Sequence, residues 1–88
     1  MSKYEMILLL PEEAESIEIK KYVTSLKGKI EKEEKWGKRI LAYPIKKITS
    51  AYYIYYLLDI EQDKIKELKK QLNFNEKLIR YLLLKIYF

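Results

Sequence analysis

The sequence predicts an α+β fold in which two helices cover one face of a four-stranded antiparallel sheet. Its 88 residues, 49% apolar and 35% charged, suit one compact domain spanning residues 1–88. Short apolar or alternating runs, typical of strands, are separated by two amphipathic stretches, typical of helices. Their order along the chain is β-α-β-β-α-β.

The first two elements are a strand and a helix. Residues 4–10 form a short apolar run that ends at Pro11, which indicates a buried strand. Residues 12–27 begin with acids and end with lysines, an order that complements the helix dipole. Three apolar residues fall on one face at helical spacing: Ile19, Val23 and Leu26. Gly28 follows as a predicted helix stop.

Residues 29–47 predict a long second strand at an edge of the sheet. Its first half is too polar for a sheet centre, and Pro44 has no backbone N–H for a ladder hydrogen bond. Gly37 interrupts the alternation and predicts a β-bulge or a local twist.

Residues 52–60 are rich in tyrosine and β-branched residues and predict a central third strand. Asp59 and Gln62 fit a capping box for the second helix, whose buried stripe is Ile65, Leu68 and Leu72. Residues 78–87 complete the chain as a fourth strand. This order is the ferredoxin-like, split βαβ arrangement.

With both helices on one face, the other face of the sheet has no cover from this chain. Strand alternation places an apolar and aromatic patch there: Ile7, Leu9, Tyr53, Tyr55, Leu57, Leu82 and Leu84. Such a patch fits a partner protein, stacked bases or self-association. A homo-oligomeric interaction or ligand-sensing domain of the same fold therefore remains the alternative function.

The composition argues against an enzyme. The chain has neither cysteine nor histidine, which removes the usual zinc ligands and the commonest general base. Its two glycines form no anion-binding loop of the kind that a ferredoxin-like acylphosphatase needs. No apolar run approaches the length of a membrane span. We expect no cofactor, no metal, no small-molecule substrate and no membrane partner.

The positive charge is concentrated in one segment. Of 18 cations against 13 acids in the whole chain, residues 29–47 hold seven cations and only three acids. A local excess of this kind indicates a nucleic-acid contact. The bias toward lysine also fits AT-rich coding, so total charge alone does not establish function.

The segment GKRILAYPIKK at residues 37–47 resembles the hallmark of the family of the sixth protein of the bacterial small ribosomal subunit. Tyr4-Glu5, Tyr52-Tyr53 and Arg80 also match the family, so the resemblance covers nearly the whole chain. The polar C-terminal tail common in that family is not expected here, since the sequence stops at Phe88.

The resemblance implies a cytoplasmic or organellar component of the small ribosomal subunit. It implies binding to the central domain of small-subunit ribosomal RNA together with small-subunit ribosomal protein eighteen. The implied RNA contacts are Lys3, Lys38, Arg39, Lys46, Lys47 and Arg80. The implied surface for the protein partner is Trp36, Ile40, Tyr43, Tyr53, Tyr55 and Leu57.

Overall fold

The computed structural model describes residues 2–45 and 48–86, with side-chain surroundings for residues 2–41 and 50–86. The strands are β1 (Ser2–Leu10), β2 (Lys29–Ile45), β3 (Ile48–Ile60) and β4 (Arg80–Lys85). The helices are α1 (Ser16–Ser25) and α2 (Ile65–Phe74), each preceded by a 3-10 turn, at Glu13–Glu15 and Gln62–Lys64. The predicted order of elements and the ferredoxin-like fold are confirmed.

The four strands form one sheet in the order β2-β3-β1-β4, and every neighbouring pair is antiparallel. β2 is therefore an edge strand, as its charges and Pro44 predicted. β1 is central, which explains why its second half is almost continuously apolar.

The core lies between the helices and one face of the sheet. α1 contributes Ile19 and Val23, and α2 contributes Ile65, Leu68 and Leu72. The sheet contributes alternate residues of β1 and β3, among them Met6, Leu8, Leu10, Ile54, Tyr56, Leu58 and Ile60, all fully buried. The predicted stripe of the second helix is confirmed, as are Ile19 and Val23 of the first, whereas Leu26 lies just past α1 and is only partly buried. The buried faces of β1 and β3 are those opposite the predicted open patch.

The boundaries of the first helix differ from the prediction. A 3-10 turn occupies Glu13–Glu15, and the α-helix ends at Ser25. The left-handed residue that closes it is Lys27, with φ 60°, whereas Gly28 donates its N–H to the carbonyl of Val23 at 2.9 Å. Gly28 is needed for a steric reason, since a Cβ there would lie 2.9 Å from Val23 Cγ1 and 3.0 Å from Ile60 Cδ1.

Three other predicted details are wrong. Asp59 does not cap the second helix, because it lies within β3 and no side chain caps the 3-10 turn or α2. β3 begins earlier than predicted, at Ile48. β4 begins later than predicted, at Arg80, because Asn75 Oδ1 accepts from the N–H groups of Lys77 and Leu78 and holds a turn there.

β2 and β3 continue beyond the rest of the sheet. β1 pairs with β3 only from Tyr52 to Ile60, so residues 39–45 of β2 and 48–51 of β3 pair only with each other, without a third strand. We call these two segments the arm. The family-like motif of residues 37–47 therefore begins where the sheet narrows to two strands and extends along the arm.

Candidate functional site

A β-bulge at Trp36 determines which side chains of β2 share a face. Lys35 pairs with Ile54 and Gly37 with Tyr53, so Trp36 is an extra residue, and Gly37 has a φ of +85°. Residues three apart in a regular strand point to opposite faces. Because the bulge adds one residue, Trp36 and Arg39 point to the same face instead of opposite faces. Both contact tyrosines on the face without helices.

These two contacts are an aromatic stack and a cation–π contact. The rings of Trp36 and Tyr55 are 5.7 Å apart at an interplanar angle of 9°. The guanidinium carbon of Arg39 lies 5.8 Å from the centre of the Tyr53 ring. Both are within the ranges over which such contacts are attractive. They fix two large side chains of the edge strand against the central part of the sheet.

The face without helices, here called the open face, can be described as rows across the sheet, because directly paired residues share a face. Nearest the arm, the row is Tyr53, Leu9 and Arg80. The next two rows are Glu34, Tyr55, Ile7 and Leu82, and then Lys32, Leu57, Glu5 and Leu84. The predicted apolar patch is thus contiguous, and Leu82 and Leu84 are about half exposed, at 49% and 51%.

One polar contact lies within this patch. The Tyr55 hydroxyl donates a hydrogen bond to Glu5 Oε2 at 2.5 Å, across the β1–β3 pair. That hydrogen bond, with partial burial and the charge of Glu5, raises the pKa of Tyr55 to about 12. The bond keeps both side chains in place beneath Trp36. Strand alternation from Ile7 and Leu9 places Glu5 on this face, but nothing in the sequence indicated its pairing with Tyr55.

We expect the hydrogen bond to appear in a pH titration. A tyrosine whose pKa is higher in the folded state stabilises the fold fully below pH ~10, and this contribution falls as pH rises toward 12. Glu5→Gln should lower the phenol pKa of Tyr55, measured by tyrosinate absorbance. Tyr55→Phe should remove that transition, whereas Tyr22→Phe should leave it. An unchanged transition in Glu5→Gln would show that the hydrogen bond is absent.

Ion pairs neutralise the first half of β2. Four pairs involve this half of the strand or its neighbours: Lys3–Glu31 at 2.9 Å, Lys20–Glu33 at 2.7 Å, Lys32–Glu34 at 3.5 Å and Lys35–Glu13 at 4.0 Å. The hydrogen bond from Lys3 lowers the pKa of Glu31, and the same bond raises the pKa of Lys3. These exposed pairs add little stability, but they occupy all three acids of the strand. The excess positive charge of residues 29–47 therefore lies in the segment after Gly37.

The structure divides the predicted RNA contacts among three places. Lys38 and Arg39 are exposed at the base of the arm, on opposite faces of β2. Neither makes an ion pair among the described residues. Arg80 is exposed on the open face, and Lys3 is held by Glu31 at the far end of the sheet. Lys46 and Lys47 lie outside the described residues.

The predicted partner surface is brought together only in part. Trp36, Tyr53, Tyr55 and Leu57 share the open face. Ile40 pairs with Ser50, so it lies on the opposite face, where it is 87% exposed. The side chain of Tyr43 lies outside the described residues.

A cleft of about 410 Å³ lies on the open face, between β2, β3, β1 and β4. It is lined mainly by apolar and aromatic side chains, with one cation: Ile7, Leu9, Trp36, Tyr53, Arg80, Tyr81 and Leu82. The described part of the chain contains no cluster of three or more acidic, histidine or cysteine side chains that could bind a metal. None of the helices within it is both long and apolar enough to cross a membrane.

Comparison with known proteins identifies the family. The sequence profile of the ribosomal protein S6 family matches residues 3–85. Small ribosomal subunit protein bS6 of Dictyoglomus turgidum is 33% identical over 90 residues, covering 94% of this chain and 93% of that protein. The crystal structure of 30S ribosomal protein S6 from Thermotoga maritima superposes with a TM-score of 0.79 at 28% identity, covering 97% of this chain and 87% of that one. The chain therefore belongs to the ribosomal protein S6 family, whose members are structural ribosomal proteins rather than enzymes.

Proposed function

We propose that this protein is a structural component of the small ribosomal subunit in the cytoplasm. In this proposal it binds the central domain of small-subunit ribosomal RNA together with small-subunit ribosomal protein eighteen. Membership of the ribosomal protein S6 family supports the assignment to the subunit. The single observation that supports the binding mode is the arm. At its base Lys38 and Arg39 make no ion pair with any residue the structure describes, and beside it lies an uncovered apolar face.

The proposed RNA contact is electrostatic. Lys38 projects from the face of β2 opposite the open face, and Lys46 and Lys47 follow in the same motif. Lysines suit phosphates as point charges, and such contacts position a protein on RNA without reading its sequence. A two-stranded arm that projects beyond the sheet can approach the RNA backbone with little interference from the rest of the molecule.

The proposed protein contact is apolar. Trp36, Tyr53 and Tyr55 have the residue types most enriched at energetically important interface positions. They continue into the half-exposed leucines of β4, Leu82 and Leu84. Burying this patch against a partner removes apolar surface from water, which is the main driving force of protein association.

Titration of central-domain ribosomal RNA tests the proposal. We expect affinity to fall steeply between 50 and 200 mM salt, as counterion release requires. We also expect protein eighteen to increase the affinity, because the two proteins share one binding site. Absence of binding even with protein eighteen present would contradict the proposal.

The half-exposed leucines of the open face also favour a second candidate, a homo-oligomer that pairs through this face. Analytical ultracentrifugation distinguishes the two functions. A tight homodimer without RNA affinity supports the second candidate, whereas a monomer that binds RNA supports the first.

A further inference from the structure

The chain contains only two arginines against 16 lysines, and both lie on the open face beside the same cleft. Arg39 comes from β2 and stacks on the Tyr53 ring. Arg80 begins β4 and lines the cleft directly. Residues 41 apart in the sequence are thus brought to one site by the fold.

The register fixes how the two side chains flank the cleft. Tyr53, Leu9 and Arg80 occupy one row on three successive strands. Neighbouring strands are about 4.8 Å apart, so the backbones of Tyr53 and Arg80 are separated by roughly 10 Å. Arg39 lies one row further along, at the start of the arm, where it pairs with Ala51 and stacks on Tyr53. The cleft between them has an apolar lining that includes Ile7, Leu9 and Leu82.

Neither guanidinium has an anionic partner among the described residues. Near the cleft, Glu5 accepts a hydrogen bond from Tyr55 and Glu34 pairs with Lys32. The other acids of this face, Glu31 and Asp59, lie beside Lys3 at the far end of the sheet from the arginines. A guanidinium beside an apolar cleft suits a planar anion that it can bind through two parallel hydrogen bonds, and lysine does not reproduce this geometry.

The surroundings favour a carboxylate over a phosphate. An RNA surface is expected to be strongly and continuously positive. The open face has its two arginines at one end, and the rest of it is apolar or internally neutralised. Tryptophan, tyrosine and arginine around an apolar centre form the composition of a protein interface core.

We propose that the cleft binds a protein segment that inserts an apolar side chain and pairs one or more flanking carboxylates with Arg39 and Arg80. This inference rests on the proposed function and assigns the two arginines to the protein partner rather than to ribosomal RNA. The two faces of β2 then divide the partners, with Lys38 on the RNA side and Arg39 on the protein side.

Lys38 and Arg39 provide a matched pair for the test, because they are adjacent, exposed and equal in charge but lie on opposite faces. Calorimetry measures the binding of three variants: Arg39→Gln, Lys38→Gln and the double variant Arg39→Gln/Arg80→Gln. Each is titrated separately with protein eighteen and with central-domain RNA. We expect Arg39→Gln to weaken protein binding about tenfold, and the double variant more. Lys38→Gln should leave protein binding unchanged.

The RNA titrations without the partner should show the reverse pattern. Lys38→Gln should reduce the salt dependence, and Arg39→Gln/Arg80→Gln should leave it within error of the wild type. Arginine variants that lose RNA affinity but retain protein binding would overturn the inference and assign both arginines to phosphates. Equal losses in every variant would also overturn it, while leaving the proposed function intact. A wild-type protein that binds neither partner would overturn the proposed function as well.

Discussion

Replacing three lysines of the family-like motif together, as Lys38→Gln/Lys46→Gln/Lys47→Gln, is expected to weaken binding to central-domain RNA by roughly thirtyfold near physiological salt, at about threefold per lost phosphate contact. The slope of log affinity against log salt should become shallower by about 2 to 3, because fewer counterions are released. Fluorescence anisotropy with labelled RNA, at several salt concentrations, measures both quantities.

The matched control removes three lysines from the exposed surface of α2, as Lys66→Gln/Lys69→Gln/Lys70→Gln. Both variants lose the same charge from the chain, so the comparison separates local placement from total charge. The α2 variant should lose only a few-fold in affinity. Equal losses and equal slopes in the two variants would mean that the arm has no special role in RNA binding.

Leu8→Ala is expected to cost about 2–5 kcal/mol of the free energy of unfolding. Leu8 is fully buried on the helix side of β1, between Ile54 and Tyr81 on the neighbouring strands. Its truncation leaves a cavity where the helices pack on the sheet. For a chain of this size the melting temperature should fall by about 10 °C or more. Thermal and urea denaturation followed by circular dichroism measure the loss.

Leu82→Ala is the matched control, since it makes the same truncation on the open face, where Leu82 is 49% exposed. Its cost to the isolated protein should stay below about 1 kcal/mol. The same variant should weaken binding to protein eighteen, because Leu82 lines the cleft. Similar stability losses for Leu8→Ala and Leu82→Ala would contradict a sheet with one packed face and one uncovered face.

The fold could be predicted because its patterns are local. Apolar alternation in β1 and β3 and helical spacing in α1 and α2 each require only neighbouring residues, and both assigned the buried faces correctly. The edge position of β2 followed from Pro44 and its charges. The errors lie at element ends, where one hydrogen bond decides the outcome. Asp59 has the spacing of a helix cap but continues β3, because the ladder to Ser2–Leu10 extends through it.

The candidate site could be predicted only as a set of residues, without its arrangement. Regular alternation places Trp36 and Arg39 on opposite faces, and the bulge reverses this by adding one residue. The sequence indicated a bulge at Gly37 but not how the flanking side chains would be redistributed. Pairings across strands, such as Lys3 with Glu31 and Tyr55 with Glu5, depend on register, which local patterns do not specify.

Co-sedimentation with small ribosomal subunits shows whether the protein is a component of that subunit. The tagged protein, expressed in cells, is separated on a sucrose gradient at low and high salt. We expect the protein to migrate with the small subunit in near-stoichiometric amount. We expect the Lys38→Gln/Lys46→Gln/Lys47→Gln variant to dissociate at lower salt than the wild type. A protein that remains at the top of the gradient at low salt, while folded and soluble, would contradict its proposed place in the subunit.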